Sequence, residues 1–373
     1  MEPLPSSGIV LHIWPGQWGL PSFDPLCLAA VLYLQLAIPG KFSVKQCSIP
    51  DSSPTGQLPF LVHEQHVAGS FVSIVKYVSG LRSADYAAYG DANLDFHFVA
   101  SEKSQKSAWY AHIESHLGDL VYHNLYSNHE NWVKMTSPAL ASFLPVPQKY
   151  YVPRRIQDLY VPRLKAAGLW KVHVEEKPAE TPFPRDVKPL EKEKLAKNAT
   201  LSRAFDRERV LERAQADLDI YKDLLDSRLF VFQNQVSSLD ILLAAHVLLL
   251  LEPPFPDTLL KDLITTSYPS LESHARRIYS AAFEGGGPNL ATSPSSFSFW
   301  SLYPSWPKRH PAKKPATKED IHYTQMRWGF VGLALGSIAA YLAVVGSRYQ
   351  IVWHVGEGSK EADDGEEDIE FSN

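Results

Sequence analysis

The chain has 373 residues, of which 45% are hydrophobic, and a net charge of −5. That is enough apolar material for one or two filled cores and excludes disorder throughout. The charge is uneven: residues 347–373 hold eight acids against Arg348 and Lys360, which leaves the rest near +1 and gives no sign of nucleic-acid binding as a main task. The two cysteines, Cys27 and Cys47, exclude a disulfide framework and fit a reducing compartment.

In chain order, residues 9–14 (IVLHIW) alternate and run into a Pro/Gly-rich loop, as a buried strand does before a turn. Asp24 is placed to cap a helix whose first position is Pro25; because residues 26–36 are apolar almost all round, that helix is expected to be sandwiched. Pro39-Gly40 stops it, and a second strand covers residues 42–47. A turn at Gly56 then leads into Leu58-Pro59 and an apolar strand, which suggests a prolyl bond held cis at the strand's start. A short hairpin over residues 63–67 follows. After Ser70, a cap, Phe71, Ile74, Val75 and Val78 share one helical face.

This order of strand, helix, three strands and helix resembles the thioredoxin-like half of glutathione transferases, and Pro54-x-Gly56-x-Leu58-Pro59-x-Leu61 is similar to their pattern. Two departures bear on chemistry. Those enzymes carry an acid–Ser pair for the glutamyl end of glutathione, whereas Gly69-Ser70 keeps only the serine. Where they place an activating Tyr, Ser or Cys, the loop after the first strand offers Ser22 and Phe23 without a motif; Ser22 reads first as a residue that satisfies amides at a helix start.

Residues 91–126 read as mostly helical, with Trp109, Ile113, Leu117, Leu120 and Val121 on one buried face. Tyr122-His123-Asn124-Leu125-Tyr126, Asn131-Trp132 and the Pro/Tyr-rich residues 144–153 then form an aromatic and proline framework in which the helix breaks. Together with the first half, this looks like the metaxin family; a packed helix corner would use the same residues. Residues 171–197 are charged and proline-rich, the composition of a solvated insert. Helical spacing returns over 201–225. Ser237-x-x-Asp240 forms a capping arrangement before the most apolar helix, residues 241–251, and similar capping pairs in glutathione-transferase-like helical domains serve folding. A last helix over 270–283 ends at a glycine triplet, read as a hinge. The Ser/Pro/Lys-rich tether beyond it carries Trp300, Tyr303 and Trp306 as candidate contacts with a membrane interface or a partner's groove.

Residues 328–346 (WGFVGLALGSIAAYLAVVG) run from Trp328 to Gly346 without a charge or amide. As a helix they would reach about 28 Å, close to the hydrocarbon thickness of a bilayer. Basic residues crowd the N-terminal flank, so the positive-inside bias keeps the preceding body cytosolic and the acidic tail across the membrane. Met1 to Gly8 lacks a basic region and the apolar run after it is short for a signal core, so insertion is expected to depend on this tail anchor. Gly332, Gly336 and Ala340 line up as a small-residue stripe.

Other chemistry is sparse. His112 and His116 stand at i and i+4, the geometry of a zinc pair, but Glu114 between them points elsewhere and no further ligand set presents itself; no metal or cofactor is expected. Cys27 and Cys47 read as small hydrophobes. Arg154, Arg155, Arg163 and Lys165, interleaved with Tyr150, Tyr151 and Tyr160, point to an acidic partner or anionic headgroups, with a solvated face as the default.

The expected fold is therefore an α/β thioredoxin-like domain (9–82) and an all-α domain (83–284), glutathione-transferase-like, then a flexible linker (285–327), a transmembrane helix (328–346) and an acidic tail (347–373). The metaxin resemblance implies a non-enzymatic subunit of the sorting and assembly machinery of the mitochondrial outer membrane. Its implied partners are a pore-forming β-barrel assembly protein, a second metaxin-like subunit, β-barrel precursors and the general import translocase. Two alternatives stay open: a tail-anchored glutathione transferase or peroxidase using Ser22 and Ser70, and a membrane-dynamics adaptor of the same fold.

Overall fold

The computed structural model describes residues 8–47, 53, 55–81, 92–170, 189–226, 228–232, 235–284, 286–287 and 289–290, and further on 328–329, 332–333, 336–337 and 340–341. The chain divides into two compact units, Met1–Ser295 and Ser296–Asn373.

The first unit begins with β1 (Ile9–Ile13), α1 (Pro25–Ala37), β2 (Phe42–Gln46), β3 (Phe60–His63), β4 (His66–Ala68) and α2 (Phe71–Gly80). The sheet runs β4-β3-β1-β2-β5, where β5 is Asn289–Leu290. β1 is parallel to β2 and antiparallel to β3, and β3 is antiparallel to β4. Leu58–Pro59 is cis. Asp24 caps α1 by accepting from the Cys27 amide at 2.9 Å, and Pro25, at the first turn, has no N–H to leave unpaired. The apolar circumference of α1 is consumed on all sides, since it packs on α2, α9 (Ser238–Leu251) and α11 (Pro269–Phe283). Each Leu or Val so enclosed contributes about 1.5–3 kcal/mol.

A long helical run follows: α3 (Ala100–His112), a wide π turn (Ile113–Leu117), α4 (Gly118–Tyr122) and a second π turn (His123–Ser127). Of the expected buried face, Ile113, Leu117, Leu120 and Val121 are enclosed and Trp109 is half-buried. After Asn128 the chain turns into α5 (His129–Asn131), a third π turn (Trp132–Thr136) and α6 (Ser137–Ser142), then α7 (Val152–Ala166). The helical domain continues with α8 (Pro189–Leu225), α9, α10 (Leu259–Ser267) and α11. Every residue of α9 is buried, and Ser237 and Asp240 cap it reciprocally.

The helix breaks over residues 144–153 as expected: α6 ends at Ser142 and α7 begins at Val152, with Pro153 in the first turn, where no N–H is needed. Two expectations need revision. The insert expected over 171–197 ends sooner: α8 starts at Pro189, and Glu191, Lys192, Glu193, Lys194 and Leu195 are all good helix formers. The glycine triplet is not only a hinge into a linker starting at 285. Asn289 and Leu290 pair in parallel with Ser43 and Val44 as an edge strand, and Gln35 Nε2 donates to the Gly286 carbonyl at 2.7 Å. No helix among the described residues is long and apolar enough to cross a membrane. Most of the expected span lies outside those residues; Trp328, Gly332, Gly336 and Ala340 are described and helical, and Gly346 is not described.

Candidate functional site

The loop from β1 to α1, Pro59 and the Gly69-Ser70 pair come first, since a thiol peptide would meet a thioredoxin-like half there. Ser22 is 0% exposed, and its Oγ accepts from the Asp24 amide at 3.3 Å. It finishes the helix start and offers no hydroxyl to solvent. Cys27, one turn into α1, is buried too, and burial with Asp24 alongside pushes its thiol well above the usual range, away from a reactive thiolate. Leu58 and Pro59 are both buried. Ser70 caps α2, accepting from the Ser73 amide at 3.2 Å and donating to Ser73 Oγ at 2.9 Å. Thr55 lies against Gly69, whose carbonyl accepts from Thr55 Oγ1 at 3.3 Å; a Cβ added at Gly69 would stand 2.9 Å from Thr55 Cγ2.

Beside this loop the α/β half meets the helical half through an aromatic layer. Phe23 lies 5.5 Å from Trp14 and stacks on Phe143 at 5.7 Å and 10°. Tyr160 of α7 stacks on Tyr126 at 4.4 Å and 8° and leans on Tyr122 at 4.5 Å, while Trp132 adds a tilted contact to Tyr126 at 6.1 Å. The Arg163 guanidinium covers Tyr122 at 4.9 Å, donates to Asp119 at 2.5 Å and also donates to the Glu114 carbonyl in the first π turn. Burial holds the hydroxyls of Tyr122, Tyr126 and Tyr160 well above the ordinary tyrosine range, with the nearby Asp24 carboxylate as a further cause. Asp24 is itself raised to about 6 by burial, against the hydrogen bond from Cys27. This layer is packed, and the Arg163 guanidinium against it is committed to Asp119 and the Glu114 carbonyl.

Polar groups elsewhere serve the same end. Asp240 accepts from the Val231 amide (2.8 Å), the Ser237 amide (3.0 Å) and Ser237 Oγ (2.5 Å), and His274 Nε2 stands 3.5 Å away. Asp95 accepts from the Ser238 amide at 2.9 Å and from the Ser238 hydroxyl, and pairs with Lys106 at 2.8 Å. His112 and His116 stack at 4.1 Å, but Nδ1 of His112 meets the Tyr221 hydroxyl at 2.8 Å, and Nδ1 of His116 faces Asp217 (3.0 Å) and Arg213 (2.8 Å). His112 ties the end of α3 to α8 and His116 ties the first π turn to it, and no cluster fit to hold a metal occurs among the described residues.

Two surface grooves lie away from the aromatic layer. One, of about 500 Å³, runs between β4 and α2 and is lined by Val67, Ser73, Lys76 and Tyr77 among others. The other, of about 250 Å³, lies between Trp18, Glu252, Arg276 and Tyr279. Arg154 and Arg155 are exposed on α7. The sequence reading missed the helical register that lines Tyr151 and Leu159 up with Arg155, because Pro153 read as part of the breaking framework; the i, i+4, i+8 spacing was the available signal. Trp300, Tyr303 and Trp306 lie outside the described residues.

Comparison with known proteins adds the following. The model of the protein family Tom37, described as an outer mitochondrial membrane transport complex protein, matches residues 27–157. Metaxin-1 of Macaca fascicularis is 28% identical over 247 residues, 66% of this chain and 66% of the relative, so that match spans about two thirds of each. Metaxin-1 of Bos taurus is 25% identical over 343 residues, 90% of each chain, and metaxin-3 of Xenopus laevis 30% over 146 residues, 39% and 44% of the two. Among solved structures, a glutathione S-transferase of Ceriporiopsis subvermispora aligns with a TM-score of 0.45 at 16% identity, covering 74% of this chain and 97% of that one.

Proposed function

The chain belongs to the metaxin family, and on that premise we propose that it is a non-enzymatic subunit of the sorting and assembly machinery of the mitochondrial outer membrane. Its task on this reading is to assist insertion, assembly and release of β-barrel precursors. The carrying observation is the match of residues 27–157 to a family described by an outer mitochondrial membrane transport complex. That segment begins in α1, beside the buried Ser22, and ends in α7, so it takes in most of the aromatic layer.

The interior supports a scaffold over an enzyme. Chemistry on glutathione needs a nucleophile-activating group within reach of solvent and donors for the peptide. Here the serine is buried at a helix start, the acid beside Ser70 is missing, and Phe23 of the loop stacks on Phe143 of the helical half. The body, residues 9–82 and 83–284, then serves as a cytosolic docking surface. Residues 328–346 form the membrane anchor, with Gly332, Gly336 and Ala340 available for close helix packing, and residues 347–373 lie in the intermembrane space. Partners on this reading are the pore-forming barrel assembly protein, a second metaxin-like subunit, the precursors and the general import translocase, with Trp300, Tyr303 and Trp306 as contact residues.

Depletion of the protein from mitochondria tests this. Assembly of imported porin-type precursors into native complexes slows while their crossing of the outer membrane continues. Unchanged assembly kinetics refute the proposal, and saturable retention on immobilised glutathione with measurable conjugation would replace it with an enzymatic one.

A further inference from the structure

α7 and the turn before it show a surface unlike the rest of the body. Tyr150 is 74% exposed, Tyr151 52% and Leu159 72%, and Val146 is exposed beside them. Tyr151, Arg155 and Leu159 stand at i, i+4 and i+8 and so form one ridge, flanked by the exposed Arg154, Pro162 and Lys165. From Lys149 to Lys165 the segment carries five basic residues against Asp158 alone. Arg163 is committed inward to Asp119 and Tyr122, but Arg154, Arg155 and Lys165 make no ion pair among the described residues. Lys149 lies 5.0 Å over the Tyr150 ring, which keeps a cation beside an exposed aromatic.

We propose that this ridge rests on an anionic lipid surface, holding the body against the membrane in which the chain is anchored. The inference rests on the membrane part of the reading above. Charge complementarity gives the occupant: phosphate-bearing headgroups lie at one depth and accept Arg154, Arg155 and Lys165 together. The boundary just below them takes tyrosine rings and a leucine, side chains that pay a penalty in water. An acidic protein patch would match the cations but would leave Tyr150, Tyr151 and Leu159 without an apolar counterpart. Each basic side chain near such a surface strengthens the contact about fivefold.

The test uses the full chain reconstituted in phosphatidylcholine vesicles with and without phosphatidylinositol. It carries an environment-sensitive fluorophore on Leu159→Cys in a Cys47→Ser background, Cys27 being buried out of reach. With the anionic lipid, quenching of the label by headgroup-level spin-labelled lipid rises about threefold, and Arg154→Glu with Arg155→Glu, or high salt, removes the rise. The milder Arg154→Gln with Arg155→Gln lowers it in part and serves if charge reversal disturbs folding, which thermal melting reports. Equal quenching in both vesicles overturns the proposal, as does quenching that survives charge reversal. Shielding of the label only on addition of an acidic protein would make the ridge a protein contact and overturn it equally. Alkaline washing separates the two levels. A chain that washes off refutes the anchor, whereas an anchored chain with an unquenched label refutes only the ridge.

Discussion

Two regions, the start of α1 and the outer side of α7, show how one fold is closed on one face and open on another. At the start of α1, every group that might do chemistry is enclosed: Ser22 and Asp24 satisfy helix amides, Cys27 is buried, and Phe23 is held between Trp14 and Phe143. On the outer side of α7, rings and cations stand in solvent with one acid among them. α7 contributes to both, since Tyr160 completes the inner layer while Leu159, its neighbour, points outward. Function on this account has moved from an internal site to surfaces, and the interior is left to stability.

The largest expected effect comes from opening the layer. Tyr126→Ala removes the ring between Tyr160 and Trp132 and destabilises the chain by about 3–5 kcal/mol in denaturant unfolding. A loss under about 1 kcal/mol would mean a loosely filled contact, and the contrast between the regions would fail.

Next is the pH dependence set by Asp24. Burial raises its carboxyl to about 6. Unfolded, it ionises near pH 4, so between those values the folded chain keeps a proton the unfolded chain has lost. The stability Asp24 lends is full below the unfolded value and is lost as pH rises through 6, by about 3 kcal/mol. Asp24→Asn keeps an acceptor for the Cys27 amide and has no such loss, so relative to the native chain it gains about 2–3 kcal/mol between pH 4 and pH 7. His246 supplies the opposite slope: burial lowers it to about 4, so its contribution is lost as pH falls below its usual range. The comparison is therefore variant minus native at each pH. A difference that does not change with pH would put the Asp24 carboxyl in contact with water.

Smaller effects sharpen the contrast. Ser22→Ala costs about 1 kcal/mol as a lost helix-start acceptor and leaves retention on glutathione unchanged; a change in retention would restore a chemical role to that hydroxyl. Arg154→Gln with Arg155→Gln shifts stability by no more than about 0.5 kcal/mol, as fits residues with no partner to lose, and a larger loss by thermal melting would show that the ridge is part of the fold.

The α/β half was legible because its signals are local. Asp24-Pro25 announces α1, Leu58-Pro59 opens β3 and Ser70 starts α2, each within a few residues of the element it controls. The helical half was legible only where spacing ran uninterrupted, as over 201–225 in α8, or where a cap announced the helix, as Ser237 and Asp240 do for α9. Pro153, read as part of a break, hid α7, although it occupies a position where no N–H is needed. β5 was invisible for another reason: two residues have no periodicity, and Asn289 and Leu290 become a strand only by finding Ser43 and Val44. The candidate site divides the same way. Ser22 read correctly as a helix-start residue, whereas the pairing of Phe23 with Phe143 joins residues far apart in the chain and leaves no mark in either neighbourhood.

The most direct measurement of the central claim is the assembly rate of radiolabelled β-barrel precursors in mitochondria depleted of this protein and resupplied with the native chain or with Ser22→Ala. The account predicts slow assembly on depletion and equal recovery with both. Normal assembly without the protein, or recovery with the native chain but not with a folded Ser22→Ala, would contradict it.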